Sequence, residues 1–187
     1  MEEVRKMKEE KPLVNSCNMR DITPITVALP YPPTQVMTKN QVYANLLSID
    51  YSGAVSEMSA ITQYINNQTR LSYQKCPLAK TILGIAMAEM IHLNKLGELI
   101  YLLGGTVNYV AKHRDGGQTL WTPKYLKLAD NPREILLTNI DGEKAAIDQY
   151  EMHIRMIDDP YIKAILSRII KDEYYHISLL KTLLAEL

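Results

Sequence analysis

The chain has 187 residues and carries 21 Lys and Arg against 21 Asp and Glu, so its formal net charge is zero. This balance provides neither the basic surface that nucleic acids require nor a polybasic membrane signal, and no uninterrupted apolar run of about 18 residues is present to span a bilayer. The length and a hydrophobic content of 47% fit one domain with a sizeable core.

Residues 1–38 are predicted to form an extended arm that packs on the body or on a partner subunit. Residues 1–11 form a charged run without the apolar segment of a secretory signal. The stretch 29–33 contains three prolines, which lack the amide donor that a helix interior needs. Cys17 and Cys76 are far apart in the chain, and we expect two reduced thiols in a cytoplasmic protein rather than a disulfide.

Residues 39–187 are predicted to form four long amphipathic helices. Favourable N-caps, first-turn prolines and terminating glycines set their bounds. Helix A begins near Thr38 or Asn40 and ends around residues 66–71. Helix B runs from Cys76 to residue 103, helix C runs from Pro132 to residue 157, and helix D follows a break at residues 158–160. Residues 106–131 connect B to C with at most one short helix. Two helical hairpins joined by a long crossover indicate an all-α four-helix bundle.

The motif Glu-x-x-His occurs twice, at Glu89–His92 in helix B and at Glu173–His176 in helix D. Residues three apart lie on one face of a helix, so each carboxylate and imidazole point the same way. A second shared motif, Glu-x-x-Ala-Ile-x-Gln-Tyr, begins at Glu57 in helix A and at Glu143 in helix C. The two repeats indicate an internal duplication with pseudo-two-fold symmetry.

The spacing of the four glutamates predicts that they meet. Residue 73, halfway between Glu57 and Glu89, lies in the A–B turn. Residue 158, halfway between Glu143 and Glu173, lies in the C–D turn. Two residues equally distant from the turn of an antiparallel hairpin lie at the same height, so each pair should be level near mid-helix.

Four buried carboxylates without cations would be very costly. Two divalent ions would balance their charge, and the two imidazoles would complete the set. Oxygen and nitrogen ligands suit iron or manganese, and the absence of thiolate ligands argues against structural zinc. The sequence therefore predicts two metal ions per chain, manganese or iron.

These motifs resemble the ferritin-like superfamily, in particular its manganese-catalase-like and rubrerythrin-like branches. The stretches that carry the resemblance are residues 50–57, 89–99, 143–147 and 172–176. The chain holds no Cys-x-x-Cys, so the rubredoxin domain that usually accompanies rubrerythrins is absent from it.

The resemblance implies that Glu57 and His92 are terminal ligands of one ion. It implies the same role for Glu143 and His176 at the other ion. Glu89 and Glu173 would bridge the ions, or one of them would stand just off the metals as a proton acceptor. These two glutamates are therefore the predicted catalytic residues.

Three further residues on the inward stripes are predicted to support the site. Tyr64 and Tyr150 each follow a ligand glutamate by seven positions, and we expect them to hydrogen-bond to ligands or relay a radical rather than merely pack. Asp50 precedes Glu57 by seven positions, where it either orients a ligand histidine or lies in water at the bundle end. His113 and His153 are predicted at the surface, and Glu98 is predicted to be a surface or interface charge.

The expected function is peroxide chemistry in oxidative-stress defence. A carboxylate-bridged pair of redox metals supports disproportionation of hydrogen peroxide, or its reduction with an external electron donor. Ferroxidase activity on dioxygen and iron handling are the alternative, and a purely structural metal site is a third interpretation. We also expect a homo-oligomer.

Overall fold

The computed structural model describes residues 17–187, which form an all-α bundle as predicted. The described residues contain five α-helices, namely α1 Gln41–Ser52, α2 Glu57–Ser72, α3 Cys76–Leu102, α4 Pro132–Met156 and α5 Pro160–Ala185. Helix α2 pairs with α3 and α4 pairs with α5, and α1 packs mainly on α3. The two predicted hairpins are therefore present, and they enclose the core between them.

Predicted helix A was wrong in one respect, because it is interrupted between α1 and α2. The Ser56 side chain accepts a hydrogen bond from the amide of Ser59 and caps α2, and its hydroxyl donates to the carbonyl of Gly53. Serine competes with helical hydrogen bonds in this way and favours a helix start. Ala54 lies in the break and is exposed.

The remaining helix starts are as predicted. Asn40 accepts hydrogen bonds from the amides of Val42 and Tyr43 at the start of α1. Prolines occupy the first turn of α3, α4 and α5, where the missing amide donor costs nothing.

The crossover between α3 and α4 contains more structure than predicted. Strands β1 Val110–Lys112 and β2 Gln118–Leu120 pair antiparallel, and a turn of 3-10 helix spans Pro123–Tyr125. Trp121 donates a hydrogen bond from its indole Nε1 to Ser59 Oγ at 3.0 Å, which fixes the crossover to α2. Two three-residue strands are too short to show an alternating pattern in the sequence.

Residues 17–40 contain no helix or strand and run along the bundle. The amide of Ile25 donates to the carbonyl of Gly84 in α3 at 2.9 Å, and that of Met37 donates to Asp159 Oδ2 at 2.7 Å. The charged run at residues 1–11 lies outside the described residues, and the domain boundary at 38/39 stays a prediction.

The prediction of two reduced thiols was wrong, because Cys17 and Cys76 form a disulfide. The two residues are 59 positions apart, so no local spacing motif indicates the pairing. The tertiary fold brings them together, since residues 17–25 return along the N-terminal part of α3.

Helix α3 is long and apolar enough, by length and composition, to cross a membrane. Polar residues such as Lys80 and Glu89 interrupt its apolar sequence, so it contains no continuous apolar run of that length. About half of its apolar window is buried inside the bundle, and Glu89 and His92 in this helix face the interior. The core helix of a bundle meets the same criterion.

Candidate metal centre

The six predicted ligands are all buried at the centre of the bundle, each at most 3% exposed. Glu57 opens α2, Glu143 lies in mid-α4, and α3 and α5 each supply a glutamate and a histidine. Their ligand atoms form two groups, each with all atoms within 4.8 Å of one another. One group is Glu57, Glu89, His92 and Glu173, and the other is Glu89, Glu143, Glu173 and His176. Glu89 and Glu173 belong to both groups, an arrangement that fits a dinuclear site with two shared carboxylates.

Several of these candidate ligand atoms lack hydrogen-bond partners. Oε2 of Glu57, Oε1 of Glu89 and Oε2 of Glu173 are buried without a hydrogen-bond partner, and so is Nδ1 of His176. That nitrogen lies 3.1 Å from Glu89 Oε1 and 3.0 Å from Glu173 Oε2. Buried polar atoms are nearly always paired in folded proteins. The orphaned atoms converge as the ligands of cations would.

The outer nitrogen of each histidine is held by a different kind of acceptor. His176 Nε2 lies 2.8 Å from the carbonyl oxygen of Ile25, and His92 Nε2 lies 3.1 Å from Asp172 Oδ2. Such partners orient a metal-binding imidazole and set its tautomer. With Nε2 donating outward, Nδ1 of both rings is directed at the carboxylates.

Asp172 contacts the candidate centre and was not predicted from the sequence. Its carboxylate also accepts hydrogen bonds from the Tyr31 hydroxyl at 2.5 Å and the Val27 amide at 2.7 Å, and Arg168 Nη1 lies 2.6 Å from Oδ2. Burial opposes its ionisation, but the hydrogen bonds from His92, Arg168, Tyr31 and Val27 lower its pKa to about 2. Asp172 precedes Glu173, whereas alanine precedes Glu89 in the first repeat. This difference between the repeats was the sequence signal for a special role of Asp172.

Tyr64 and Tyr150 bond to ligands across the bundle. The hydroxyl of Tyr64 donates to Oε1 of Glu143, and that of Tyr150 donates to Oε1 of Glu57. Each tyrosine therefore serves the glutamate of the other half, which the spacing within one helix could not reveal. Burial, followed by the nearby carboxylates, raises the pKa of both phenols, so both remain donors.

Without cations, the cluster holds protons instead. Burial and the charges of Glu89 and Glu173 raise the pKa of Glu143 from its ordinary 4.5 to about 8. Burial and the charge of Glu89 likewise raise the pKa of Glu57. Burial alone would lower the pKa of His92, but the surrounding carboxylates raise it. A metal ion that bound this centre would therefore displace protons from it.

Neither predicted role of Asp50 was correct. The residue is fully buried, not in water, and it contacts no histidine of the centre. Its carboxylate instead lies 2.7 Å from His153 Nδ1 and accepts a hydrogen bond from Gln149 at 2.8 Å. His153, predicted at the surface, is 1% exposed, and the pair ties α4 to the end of α1.

The other two side chains singled out from the sequence lie away from the centre. Glu98 is 41% exposed and bonds to Lys95 and Thr34, as expected of a surface charge. His113, predicted at the surface, is half-buried, and its Nε2 lies 2.9 Å from Thr119 Oγ1 in the crossover hairpin.

A cavity of about 140 Å³ lies between α2 and α4 and reaches the carboxylate side of the centre. Glu57, Glu89, Glu143 and Glu173 line its floor, and neither ligand histidine lines it. Residues 125–127 of the crossover also line the cavity, and Gln63 in α2 exchanges two hydrogen bonds with the backbone of Lys127, at 2.6 and 2.9 Å.

Comparison with known proteins places these features in a family. The rubrerythrin family model matches residues 52–184. A probable manganese catalase from Clostridium acetobutylicum is 29% identical over 164 residues, covering 79% of this chain and 72% of that protein.

Solved structures share the fold. The manganese catalase KatB from Anabaena has a TM-score of 0.76 at 22% identity, covering 85% of this chain and 78% of the other. Bacterioferritin from Rhodobacter capsulatus has a TM-score of 0.67 at 24% identity, covering 80% and 88%. These likenesses confirm the ferritin-like four-helix bundle.

Proposed function

The chain belongs to the rubrerythrin family, and on this basis we propose that it is a dinuclear manganese or iron oxidoreductase that acts on hydrogen peroxide. The reaction that we favour is disproportionation of two peroxide molecules to two water molecules and dioxygen. The similarity to a probable manganese catalase supports this choice, as does the shared pair of carboxylates at the centre.

The cavity between α2 and α4 is the observation that carries the proposal. It is lined both by crossover residues 125–127 and by the four glutamates, so a reactant would reach the centre from the carboxylate side. Sites for organic ligands usually measure about 300–1,000 Å³. A cavity of about 140 Å³ fits a reactant the size of peroxide or dioxygen better than an organic substrate.

The residues around the centre have different roles in the proposed reaction. A pair of bound manganese or iron ions would supply two-electron redox chemistry. Glu89 and Glu173 lie on the cavity floor, where either carboxylate can take a proton from one peroxide oxygen and return it to the other. Tyr64 and Tyr150 hold Glu143 and Glu57 by hydrogen bonds, which keeps these terminal ligands in place.

Disproportionation needs no outside electron donor, and this suits the composition of the chain. Its two cysteines are joined in a disulfide, so they provide no thiolate pair for a rubredoxin-type iron. Rubrerythrin-like reduction of peroxide would therefore depend on a separate reductase.

Ferroxidase activity is the second candidate. The oxygen and nitrogen ligands suit iron as well as manganese, and the bundle has the fold of a bacterioferritin. The homo-oligomer and the cytoplasmic location stay predictions. The disulfide is more typical of an oxidising compartment. Cell fractionation would show in which compartment the protein is located.

The decisive measurement is oxygen evolution from hydrogen peroxide without reductant, on manganese-loaded and iron-loaded protein in parallel. We expect evolution that requires metal and is lost in Glu173→Gln. Gln118→Glu, which changes the exposed strand β2, is the control for a change of charge. No evolution with either metal would exclude the catalase reaction, and reductant-dependent peroxidase and ferroxidase assays would then decide between the remaining candidates.

A further inference from the structure

The N-terminal arm, residues 17–40, provides or supports the outer partner of both ligand histidines. The carbonyl of Ile25 accepts from His176 directly. On the other side, Val27 and Tyr31 bind the Asp172 carboxylate that faces His92. The arm therefore lies behind the histidine side of the centre, opposite the cavity.

The internal duplication is broken where the arm lies. Glu89 and Glu173 are 84 positions apart, and the same offset pairs Gly84 with Arg168 and Ala88 with Asp172. In α5 the two larger residues bind the arm through their side chains, and Arg168 donates to the carbonyls of Val27 and Leu29. In α3 the small Gly84 instead allows close approach of the arm.

Gly84 shows how close this approach is. A Cβ at this position would lie 2.8 Å from side-chain atoms of Ile25 and 3.1 Å from the carbonyl oxygen of Thr23. The Ile25 amide donates to the Gly84 carbonyl at 2.9 Å, which sets the height of the Ile25 carbonyl opposite His176. A larger side chain at position 84 would therefore displace this part of the arm.

The disulfide fastens the arm to the same helix. Ile25 follows Cys17 by eight residues, and Gly84 follows Cys76 by eight, so the covalent link and the close contact bracket one short stretch of arm and helix. Both cysteines are half-buried, within reach of a reductant. Only two side chains of this stretch, Met19 and Ile25, pack against the adjoining core cluster.

We propose that the arm is a positioning element for His176 and His92, and that the Cys17–Cys76 disulfide controls how firmly it holds them. Reduction would free the arm from α3, loosen both histidines and release metal faster. This inference rests on one part of the proposed function, the binding of metal by the six ligand residues. It does not require that the protein turns over peroxide.

The redox step balances with simple reactants. A dithiol gives two electrons and two protons, so the S–S bond breaks, Cys17 and Cys76 become thiols, and the dithiol becomes a disulfide. Hydrogen peroxide reverses the step, taking two electrons and the two thiol protons as its O–O bond breaks to give two water molecules. Peroxide would therefore restore the state in which the arm is fastened.

The test is the rate at which excess EDTA removes manganese from the loaded full-length protein, before and after reduction with a phosphine that is then removed. We expect reduction to speed metal loss about tenfold, the lower end of the effect of removing partners of metal-ligating histidines. Hydrogen exchange should increase at residues 23–31 and stay unchanged in mid-α4. Reoxidation with peroxide should restore both values.

Two variants separate positioning from general stability. The double variant Cys17→Ser with Cys76→Ser should lose metal at the fast rate and respond to neither phosphine nor peroxide. Gly84→Val keeps the disulfide but displaces the arm, and it should also lose metal quickly. Lys80→Val, one turn earlier on the exposed face of α3, is its control and should retain metal like the wild type.

Equal rates of metal loss in the oxidised and reduced protein would overturn the proposal, and so would wild-type retention in Gly84→Val. If reduction lowers the melting temperature without speeding metal loss at 25 °C, the disulfide is merely structural. Failure of the oxygen-evolution assay would leave these measurements unaffected, because they follow bound manganese and backbone protection alone.

Discussion

The hydroxyl of Tyr150 in α4 donates a hydrogen bond to the Glu57 carboxylate in α2, so a residue of the second hairpin contacts a proposed ligand in the first. Tyr64 and Glu143 form the reciprocal pair. These crossed hydrogen bonds link the two hairpins at the candidate metal centre.

We expect Tyr150→Phe to weaken metal binding by about 10–100-fold, because Glu57 loses the donor that fixes its orientation. Dissociation constants for manganese, measured by competition with a fluorescent chelator, check this. Tyr73→Phe, at a residue 71% exposed, is the control. Equal affinity of Tyr150→Phe and wild type would show that the hydroxyl does not position the ligand.

Glu143→Ala should leave a folded bundle that binds fewer than two metal ions per chain. It removes a ligand from one group, whereas Glu151→Ala changes an exposed glutamate of the same helix. Metal content is measured by mass spectrometry after dialysis, with helix content from circular dichroism. Two ions per chain in Glu143→Ala would refute the proposed ligand set.

Asp172→Asn should lower manganese affinity by about 10–100-fold. The amide keeps the shape of the carboxylate but not its charge, so His92 becomes a weaker ligand and Arg168 loses its buried counter-ion. The exposed Asp141→Asn is the matched control. If titration of the variant shows two ions bound as tightly as in wild type, Asp172 does not tune the site.

The metal-free protein should lose stability as pH rises from about 5 to about 8. Glu143 has its folded-state pKa raised from 4.5 to about 8, so the folded state binds more protons than the unfolded chain in this window, and stability falls with rising pH. His92 and His176 also have raised pKa values in the folded protein, and they act in the same direction. Their contribution to folding stability is present below pH 6.5 and is lost as the pH rises above that value.

Melting temperatures across this range, with and without manganese, test the sign. Metal-loaded protein should show no such decline, because its carboxylates are already ionised. Below about pH 4.5 the trend should reverse, since burial opposes ionisation of Glu89 but its histidine neighbours lower its pKa. A metal-free melting temperature that rises from pH 5 to 8 would contradict the prediction.

Ala60→Leu should lower kcat/KM for peroxide while metal content stays at the wild-type level. Ala60 lines the cavity between α2 and α4, and three added carbons would occupy much of so small a space. Ala164→Leu, on the exposed face of α5, should leave turnover unchanged. Unchanged turnover in Ala60→Leu would mean that peroxide reaches the centre by another path.

Three features were not predicted, because their partners are distant in the chain. Asp172 depends on Tyr31, 141 positions away, and His153 depends on Asp50, 103 positions away. The Cys17–Cys76 disulfide has no motif at all. In each case the sequence around one residue gives no indication of the distant residue that it contacts in the folded protein.

Local signals in the amino-acid sequence predict most of the helices and the ligand candidates, because helical periodicity, N-caps and first-turn prolines act within short stretches and because each motif occurs twice. The surroundings of the site depend on the fold: the tyrosines cross between the hairpins, the arm lies behind the histidines, and a cavity lies on the carboxylate side. These features depend on packing between segments that are far apart in the chain, and the free energy of that packing has no counterpart in any short stretch of sequence.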